Sequence, residues 1–200
     1  MGYNTGEKLR TFLAFDLPAE VTRQIADIQR QLAGSGLQLK WVRPENVHLT
    51  VKFLGDIPKT DVDQVSAAAA AVTREAAPMN LRLKGLGVFP GMKRPRVLWA
   101  GLTGDTRRLI DFHQRLDESL AGAGFPADKR EFTAHLTIAR LRQSIDPRRL
   151  AEAMEAAGQF PETDLPARQL TLYKSDLQPS GAVYTVLRQF SLGREGSSRL

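Results

Sequence analysis

The stretch HLTVKFLG at residues 48–55 is echoed later in the chain, where residues 135–140 read HLTIAR. The chain contains three histidines, and two of them open the same tripeptide, 87 positions apart (135 − 48). In both copies apolar and polar residues alternate at the start, which is the pattern of a half-buried β-strand. The repeat therefore predicts two equivalent strands that contribute to one cleft.

Residues i and i+2 of a strand point to the same face. His48 and Thr50 are therefore expected to project together, as are His135 and Thr137. The apolar residues between and after them are expected to pack into the core: Leu49, Val51, Leu136 and Ile138. Each strand would then present an imidazole beside a hydroxyl group on a rigid floor.

The rest of the chain predicts a mixed fold in two similar halves. Apolar residues at helical spacing predict helices over residues 21–36, 59–77 and 105–124, and a fourth that begins near Asp146. Strands are predicted at residues 9–18, 37–42, 47–55, 81–89, 96–102, 133–141, 168–177 and 182–192. No long linker separates the halves, so we expect one bilobal α+β domain over residues 8–193, with flexible tails at 1–7 and 194–200. The similarity of the halves indicates an internal duplication.

The composition bounds the class of protein. A chain of 200 residues with 42% apolar and 25% charged residues is typical of a soluble globular domain. The absence of cysteine excludes disulfides, thiolate metal sites and a cysteine nucleophile. The net charge of +6 is compatible with a phosphorylated or polyanionic partner, or simply with solvated basic residues. We expect a cytoplasmic monomer with no membrane segment.

Two histidines and two threonines in one cleft suit the cleavage of a phosphoester without a metal cofactor. One histidine can take a proton from water while the other protonates the departing alkoxide, and hydroxyl groups can bind the phosphate oxygens. Lys52, Arg130 and Arg140 are the nearby candidates for further phosphate contacts. A metal site is the rival interpretation, but neither strand carries a carboxylate within two residues of its histidine.

Several of the neighbouring residues have two interpretations. Lys52 could reach a bound phosphate or could be solvated, whereas Arg140 would reach the cleft only if the strand ended or bulged near Ala139. Phe53 is expected in the core rather than as a platform for a base. The same holds for Trp41, which could also line the cleft, and His113 is expected at the surface or its boundary. The basic stretch KRPR at residues 93–96 is either a contact for nucleic acid or a solvated loop.

Two longer segments resemble a known family: WVRPENVHLTVKFLG at residues 41–55 and REFTAHLTIAR at 130–140. They are similar to the 2H phosphoesterase superfamily, and within it to the RNA 2′,3′-cyclic phosphodiesterases, once named 2′-5′ RNA ligases. The similarity extends to RTFLAFDLP at residues 10–18 and LYKSDLQPSGAVYTVL at 172–187. It implies a bilobal fold in which two antiparallel sheets line a central cleft, with helices outside and no cofactor.

The resemblance also implies roles for individual residues. His48 would protonate the leaving 3′-oxygen, and His135 would activate water, so that RNA ending in a 2′,3′-cyclic phosphate becomes a 2′-phosphate. Thr50 and Thr137 would hold the phosphate. The arginines that flank the second motif, Arg130 and Arg140, would bind the substrate, which could be a tRNA fragment or a nucleotide. Ala134 departs from the family pattern, which often has proline there, but this removes no chemical group.

Two further functions stay open at the level of sequence. The same groups could join RNA ends through a 2′-5′ linkage, because a catalyst accelerates both directions of a reaction. The chain could also be a non-catalytic RNA-binding protein, although both histidines and both threonines are present.

Overall fold

The computed structural model describes residues 6–179 and 181–193, and all elements given below lie within them. The strands are β1 (Lys8–Phe15), β2 (Lys40–Trp41), β3 (Leu49–Pro58), β4 (Met79–Phe89), β5 (Val97–Gly104), β6 (His135–Arg140), β7 (Thr163–Ala167), β8 (Gln169–Gln178) and β9 (Gly181–Ser191). The α-helices are α1 (Ala19–Gly34), α2 (Val62–Glu75), α3 (Thr106–Gly122) and α4 (Pro147–Ala157). Most of the predicted tail residues, 1–5 and 194–200, lie outside the described residues. Glu7 is anchored, because its carboxylate pairs with Lys59 at 2.8 Å.

The strands form two antiparallel sheets, which confirms the predicted α+β class. The first sheet has the order β3-β1-β8-β9, and the second has the order β2-β6-β5-β4-β7. Each sheet therefore combines strands from both halves of the chain. The two His-Leu-Thr segments lie in different sheets, β3 at an edge of the first and β6 inside the second.

The helices begin and end close to where the periodicity predicts. In α1 the four apolar residues at helical spacing are all buried: Val21, Ile25, Ile28 and Leu32. Asp146 caps α4, since its carboxylate accepts a hydrogen bond from the backbone N–H of Arg148 at 2.9 Å. None of the helices in this part of the chain has the length and apolarity needed to cross a membrane.

One strand was predicted too long, and another was missed. The predicted strand at 37–42 is regular only at β2, and β7 was not predicted at all. The segment of β7 reads TDLPA, and Pro166 cannot donate to a neighbouring strand, so its pattern does not favour a strand. The segment is tolerated because β7 lies at the edge of the second sheet, where it pairs only with β4.

A β-bulge interrupts β3 shortly after the histidine. Opposite β1, Thr50 pairs with Ala14 and Lys52 pairs with Leu13, so Val51 is an extra residue. The bulge reverses the alternation of faces, and Val51 and Lys52 are consecutive buried residues. Phe53 is consequently exposed.

An equivalent bulge interrupts β6. Opposite β5, Thr137 pairs with Trp99 and Ala139 pairs with Leu98, which leaves Ile138 as the extra residue. Ile138 and Ala139 are both buried, and Arg140 is exposed. Both bulges thus occur three positions after a histidine.

Candidate active site

A cleft of about 380 Å³ lies between the two sheets, and all four predicted residues of the His-Leu-Thr segments line it. His48 and Thr50 come from the first sheet, and His135 and Thr137 come from the second. The leucines that follow the histidines, Leu49 and Leu136, are fully buried behind them. The predicted faces of the two strands up to the threonines are therefore confirmed.

The two histidines are held in the same way. The Nδ1–H of His48 donates to the backbone carbonyl of Asn46 at 2.8 Å, and that of His135 donates to the carbonyl of Thr133 at 2.7 Å. A carbonyl only accepts hydrogen bonds, so each contact places a proton on Nδ1. Nε2 of each ring is then the nitrogen that can take up or give a proton.

His48 lies in a largely aromatic setting. Its ring stacks on Phe12, with centroids 4.6 Å apart, and meets the edge of Tyr184 at 5.3 Å. Burial lowers the pKa of His48, while the Asn46 carbonyl and the charge of Asp16 oppose this effect. The net lowering favours the neutral imidazole when the cleft is empty.

Two residues that support His48 were missed by the sequence reasoning. Asp16 accepts hydrogen bonds from Thr171 at 3.0 Å and from the hydroxyl of Tyr173. Burial, together with Asp16, raises the pKa of Tyr173, which keeps its hydroxyl protonated. Asn46 donates from its side chain to the carbonyl of Ala182 at 2.8 Å and so ties the turn before β3 to β9. The signal for Asn46 was its position two residues before the histidine.

His135 also contacts aromatic rings, but only through their edges. Phe89 meets it at 5.0 Å with an interplanar angle of 88°, and the centroid of Trp99 lies 6.4 Å away. Both rings belong to the second sheet, on β4 and β5. The ring of His135 is thus flanked on the side of its own sheet.

Within the described part of the chain, four positive side chains line the cleft that the two histidines face. Arg10, Lys40, Arg43 and Arg140 line the cleft, and no carboxylate does so among the described residues. Arg140 reaches the cleft because β6 has a bulge at Ile138. The position expected from the sequence for a strand end or bulge was Ala139, one residue later. Such a cleft attracts an anion.

Lys52, predicted as a possible phosphate ligand, does not lie in the cleft. Its side chain is 2% exposed, and its ammonium group forms ion pairs with Asp117 and with Asp128, the latter at 3.1 Å. It also donates to the carbonyl of Pro126 at 2.9 Å. The prediction was wrong because it assumed strict alternation, which the bulge at Val51 breaks.

The same bulge corrects the prediction for Phe53. Phe53 was expected in the core, but it is 46% exposed and lines the cleft. The guanidinium group of Arg10 lies 4.5 Å from the centre of its ring, which is a cation–π contact. Phe53 therefore places an aromatic ring, with Arg10 over one face, beside the hydroxyl and guanidinium groups that line the cleft.

The structure also places three other residues for which the sequence made a prediction. Trp41 lines the cleft, which was one of its two expected positions. Arg130 is an exposed loop residue outside the set of described residues that line the cleft. His113 was expected at the surface or its boundary but is 8% exposed, and it stacks on Phe132 at 4.2 Å and lies 3.3 Å from Asp128.

Metal ligands are not assembled around the histidines. Within residues 6–179 and 181–193, no group of three or more His, Asp or Glu side chains has an arrangement that could hold a metal ion. The chemistry open to the described groups is proton transfer by imidazole and anion binding by hydroxyl and guanidinium groups.

Comparison with known proteins points to one family. Residues 15–99 and 102–184 match the model of a family described as LigT-like phosphoesterases. An RNA 2′,3′-cyclic phosphodiesterase of Methanocaldococcus jannaschii is 31% identical over 182 residues, which cover 91% of this chain and 100% of the relative. A protein of the same name from Aquifex aeolicus is 31% identical over 92% of this chain and 98% of its own.

Solved structures show the same fold. A protein of Thermus thermophilus superposes with a TM-score of 0.75 and 28% identity, covering 94% of this chain and 100% of its own. The LigT protein of E. coli, crystallised with 3′-AMP, gives a TM-score of 0.73 and 25% identity, covering 93% of this chain and 99% of its own.

Proposed function

Because the chain belongs to the LigT-like phosphoesterase family, we propose that it hydrolyses RNA 2′,3′-cyclic phosphate ends to terminal 2′-phosphates. One observation carries the proposal. Two imidazoles, each with Nδ1–H bound to the carbonyl two residues earlier, face a single cleft that is lined by cations. Each ring therefore has Nε2 free to exchange a proton with a substrate.

The proposed reaction is a single displacement at phosphorus. Nε2 of His135 takes a proton from a water molecule, and the water oxygen forms a bond to phosphorus. The bond from phosphorus to the 3′-oxygen breaks, and that oxygen receives the proton from Nε2 of His48. The phosphate stays on the 2′-oxygen, and one water is consumed for each cyclic phosphate opened.

The other cleft residues bind the phosphate as negative charge builds on its non-bridging oxygens. The hydroxyl groups of Thr50 and Thr137 can donate to these oxygens, and the guanidinium group of Arg140 can do so with a full positive charge. The anion also acts on His48. A negative charge next to the ring favours imidazolium and so opposes the lowering of its pKa by burial.

Phosphorus NMR tests the proposal with a short RNA that ends in a 2′,3′-cyclic phosphate, in excess EDTA. The wild type is expected to produce a 2′-phosphate, and the His135→Ala protein is expected to leave the cyclic phosphate intact. His113→Asn is the matched control, because it removes the third histidine, which lies in the cluster around Lys52 and away from the cleft. Activity that appears only with added metal, or no conversion by the wild type, would contradict the proposal.

A further inference from the structure

A small cavity, of about 250 Å³, lies beside the second sheet and carries only cationic, polar and proline residues. The loop between β4 and β5 and the segment after β6 enclose it, and its lining consists of Lys93, Arg94, Pro95, Arg96, Gln143 and Ser144. Lys93, Arg94 and Arg96 are exposed. The cavity thus presents positive charge and polar side chains to solvent.

Three neighbouring strands, β2, β6 and β5, lie between the cleft and this cavity. At the end of β6, Arg140 pairs with Lys40 of β2 on one side and with Val97 of β5 on the other. Arg96 directly precedes Val97, and its carbonyl accepts from the N–H of Leu141 at 2.9 Å. Adjacent strands lie about 4.8 Å apart, so the backbones of Lys40, Arg140 and Arg96 follow one another along this end of the sheet, with Arg96 one residue out of register with the other two.

No described carboxylate neutralises these cations. Among residues 6–179 and 181–193, none comes within ion-pairing distance of the five that we call the basic track: Lys40, Arg140, Arg96, Arg94 and Lys93. Other surface cations do have such partners, for example Lys84 with Glu162 at 2.7 Å. Close like charges repel each other, and a polyanion that crosses the track would relieve this repulsion.

We propose that the basic track binds the RNA backbone, so that the nucleotides before the cyclic phosphate leave the cleft over β2, β6 and β5. One of their phosphates then occupies the small cavity, where the amide of Gln143 and the hydroxyl of Ser144 can donate hydrogen bonds beside Arg94 and Arg96. This inference rests on the proposed function and deepens it, because it assigns a binding surface to the RNA nucleotides that precede the cyclic phosphate.

The test compares two substrates with the double variant Lys93→Gln/Arg94→Gln. A 2′,3′-cyclic mononucleotide has no upstream phosphate, whereas a hexanucleotide with the same end does. The KM for the hexanucleotide is expected to rise roughly 3–30-fold because two exposed charge contacts are lost, with kcat and both mononucleotide constants unchanged. In the plot of log kcat/KM against log salt, the hexanucleotide slope is expected to flatten by up to about 1.4, or about 0.7 for each lost phosphate contact with a single strand.

Two control variants distinguish binding along the basic track from a general effect of the net charge. Arg74→Gln/Arg107→Gln removes the same charge from α2 and α3, outside the cleft and the cavity, and is expected to leave both substrates unaffected. Lys93→Arg/Arg94→Lys keeps the charge and is expected to retain most of the affinity for the hexanucleotide.

The possible failures are distinguishable. An equal rise of the hexanucleotide KM in the α2/α3 control, or an unchanged KM in the track variant, would overturn the track while leaving hydrolysis itself intact. An unchanged KM would leave the cavity to another anion, such as an acidic protein. If the wild type hydrolysed neither substrate, the proposed function would fail and the track would fall with it.

Discussion

The two histidine strands, β3 and β6, share a backbone arrangement but differ in the side chains that follow the bulge. From Leu49 to Phe53 the residues are buried, half-buried, buried, buried and exposed in turn, and the series from Leu136 to Arg140 is identical. Both histidines donate Nδ1–H to the carbonyl two residues earlier. The shared backbone therefore delivers two equivalent imidazoles to the cleft.

The differences make the two sides of the cleft unequal. The exposed position after the bulge is Phe53 on β3 and Arg140 on β6, and both line the cleft. The buried position before it is Lys52 on β3 and Ala139 on β6. We infer that, at this exposed position, Arg140 on β6 serves the phosphate and Phe53 on β3 serves a base. On this inference, the same backbone arrangement presents side chains for two kinds of contact.

The largest effect is expected from variants that distinguish the proton transfer by His48 from the proton transfer by His135. His48→Ala and His135→Ala are each expected to lower kcat by about 10²–10⁴-fold, because each removes one transfer. A substrate with sulfur in place of the bridging 3′-oxygen releases a thiolate, which needs little protonation. On that substrate His48→Ala is expected to recover most of its loss, and His135→Ala is expected to recover little.

Single-turnover rates of both variants on the oxygen and sulfur substrates give the measurement. Equal recovery of the two variants would contradict the assignment of His48 as the acid. Recovery of His135→Ala alone would reverse the roles of the two histidines.

The next comparison concerns Phe53 and Arg140. Base–aromatic stacking is worth about 1–3 kcal/mol per base, so Phe53→Ala is expected to raise the KM of a cyclic nucleotide roughly 5–150-fold. It should not affect ribose 2′,3′-cyclic phosphate, which lacks a base. Arg140→Gln is the matched variant on β6 and is expected to lower kcat/KM for both substrates, because both contain the phosphate. Steady-state kinetics of both variants on both substrates would show the pattern, and an equal effect of Phe53→Ala on the two substrates would contradict stacking.

The buried position before the exposed residue is Lys52 on β3 and Ala139 on β6. We expect Lys52 to contribute to the stability of the fold rather than to catalysis. Lys52→Met removes the only cation that forms an ion pair with Asp117 within the described part of the chain. The loss is expected to be about 1–3 kcal/mol, less than the ~3–5 kcal/mol for breaking a fully buried pair, because Asp117 and Asp128 reach solvent. Urea unfolding at pH 7 measures it, and Lys59→Met, which breaks an exposed pair with Glu7, is the control expected to stay close to wild type.

Acid is expected to remove the difference in unfolding free energy between the wild type and Lys52→Met. Burial of Asp117 opposes its ionisation, but the hydrogen bonds from Lys52 and from the N–H of Asp128 lower its pKa on balance. A lowered pKa stabilises the fold fully above the ordinary value of 3.8, and the contribution disappears as the pH falls through the native value. The wild type and Lys52→Met are therefore expected to converge in stability well below pH 3.8, and a constant difference would contradict the ion cluster as its source.

The errors at Lys52 and Phe53 show which features the sequence could predict. The strands, the helices and the inward direction of His48 and Thr50 follow from local periodicity, which the sequence displays directly. The bulge at Val51 depends on the register between β3 and β1, which no local pattern specifies. A shift of one residue exchanges the two faces of a strand, so every side-chain prediction beyond the bulge was reversed. In β6, a strand end or bulge near Ala139 was only the condition under which Arg140 would reach the cleft.

The smallest expected effect tests the unequal surroundings of the two histidines. The charge of Asp16 raises the pKa of His48 against the larger lowering by burial, so Asp16→Asn should lower that pKa further. If His48 is the acid, kcat/KM falls as the pH rises through this pKa, and that limb should move to lower pH by less than about 1 unit. Asp176→Asn is the control, because this carboxylate pairs with Lys174 at 3.0 Å and is expected to leave the profile unchanged. The limb of the pH profile that moves identifies the role of His48. If the limb on which kcat/KM rises with pH moved instead, His48 would be the base. His135 would then be the acid.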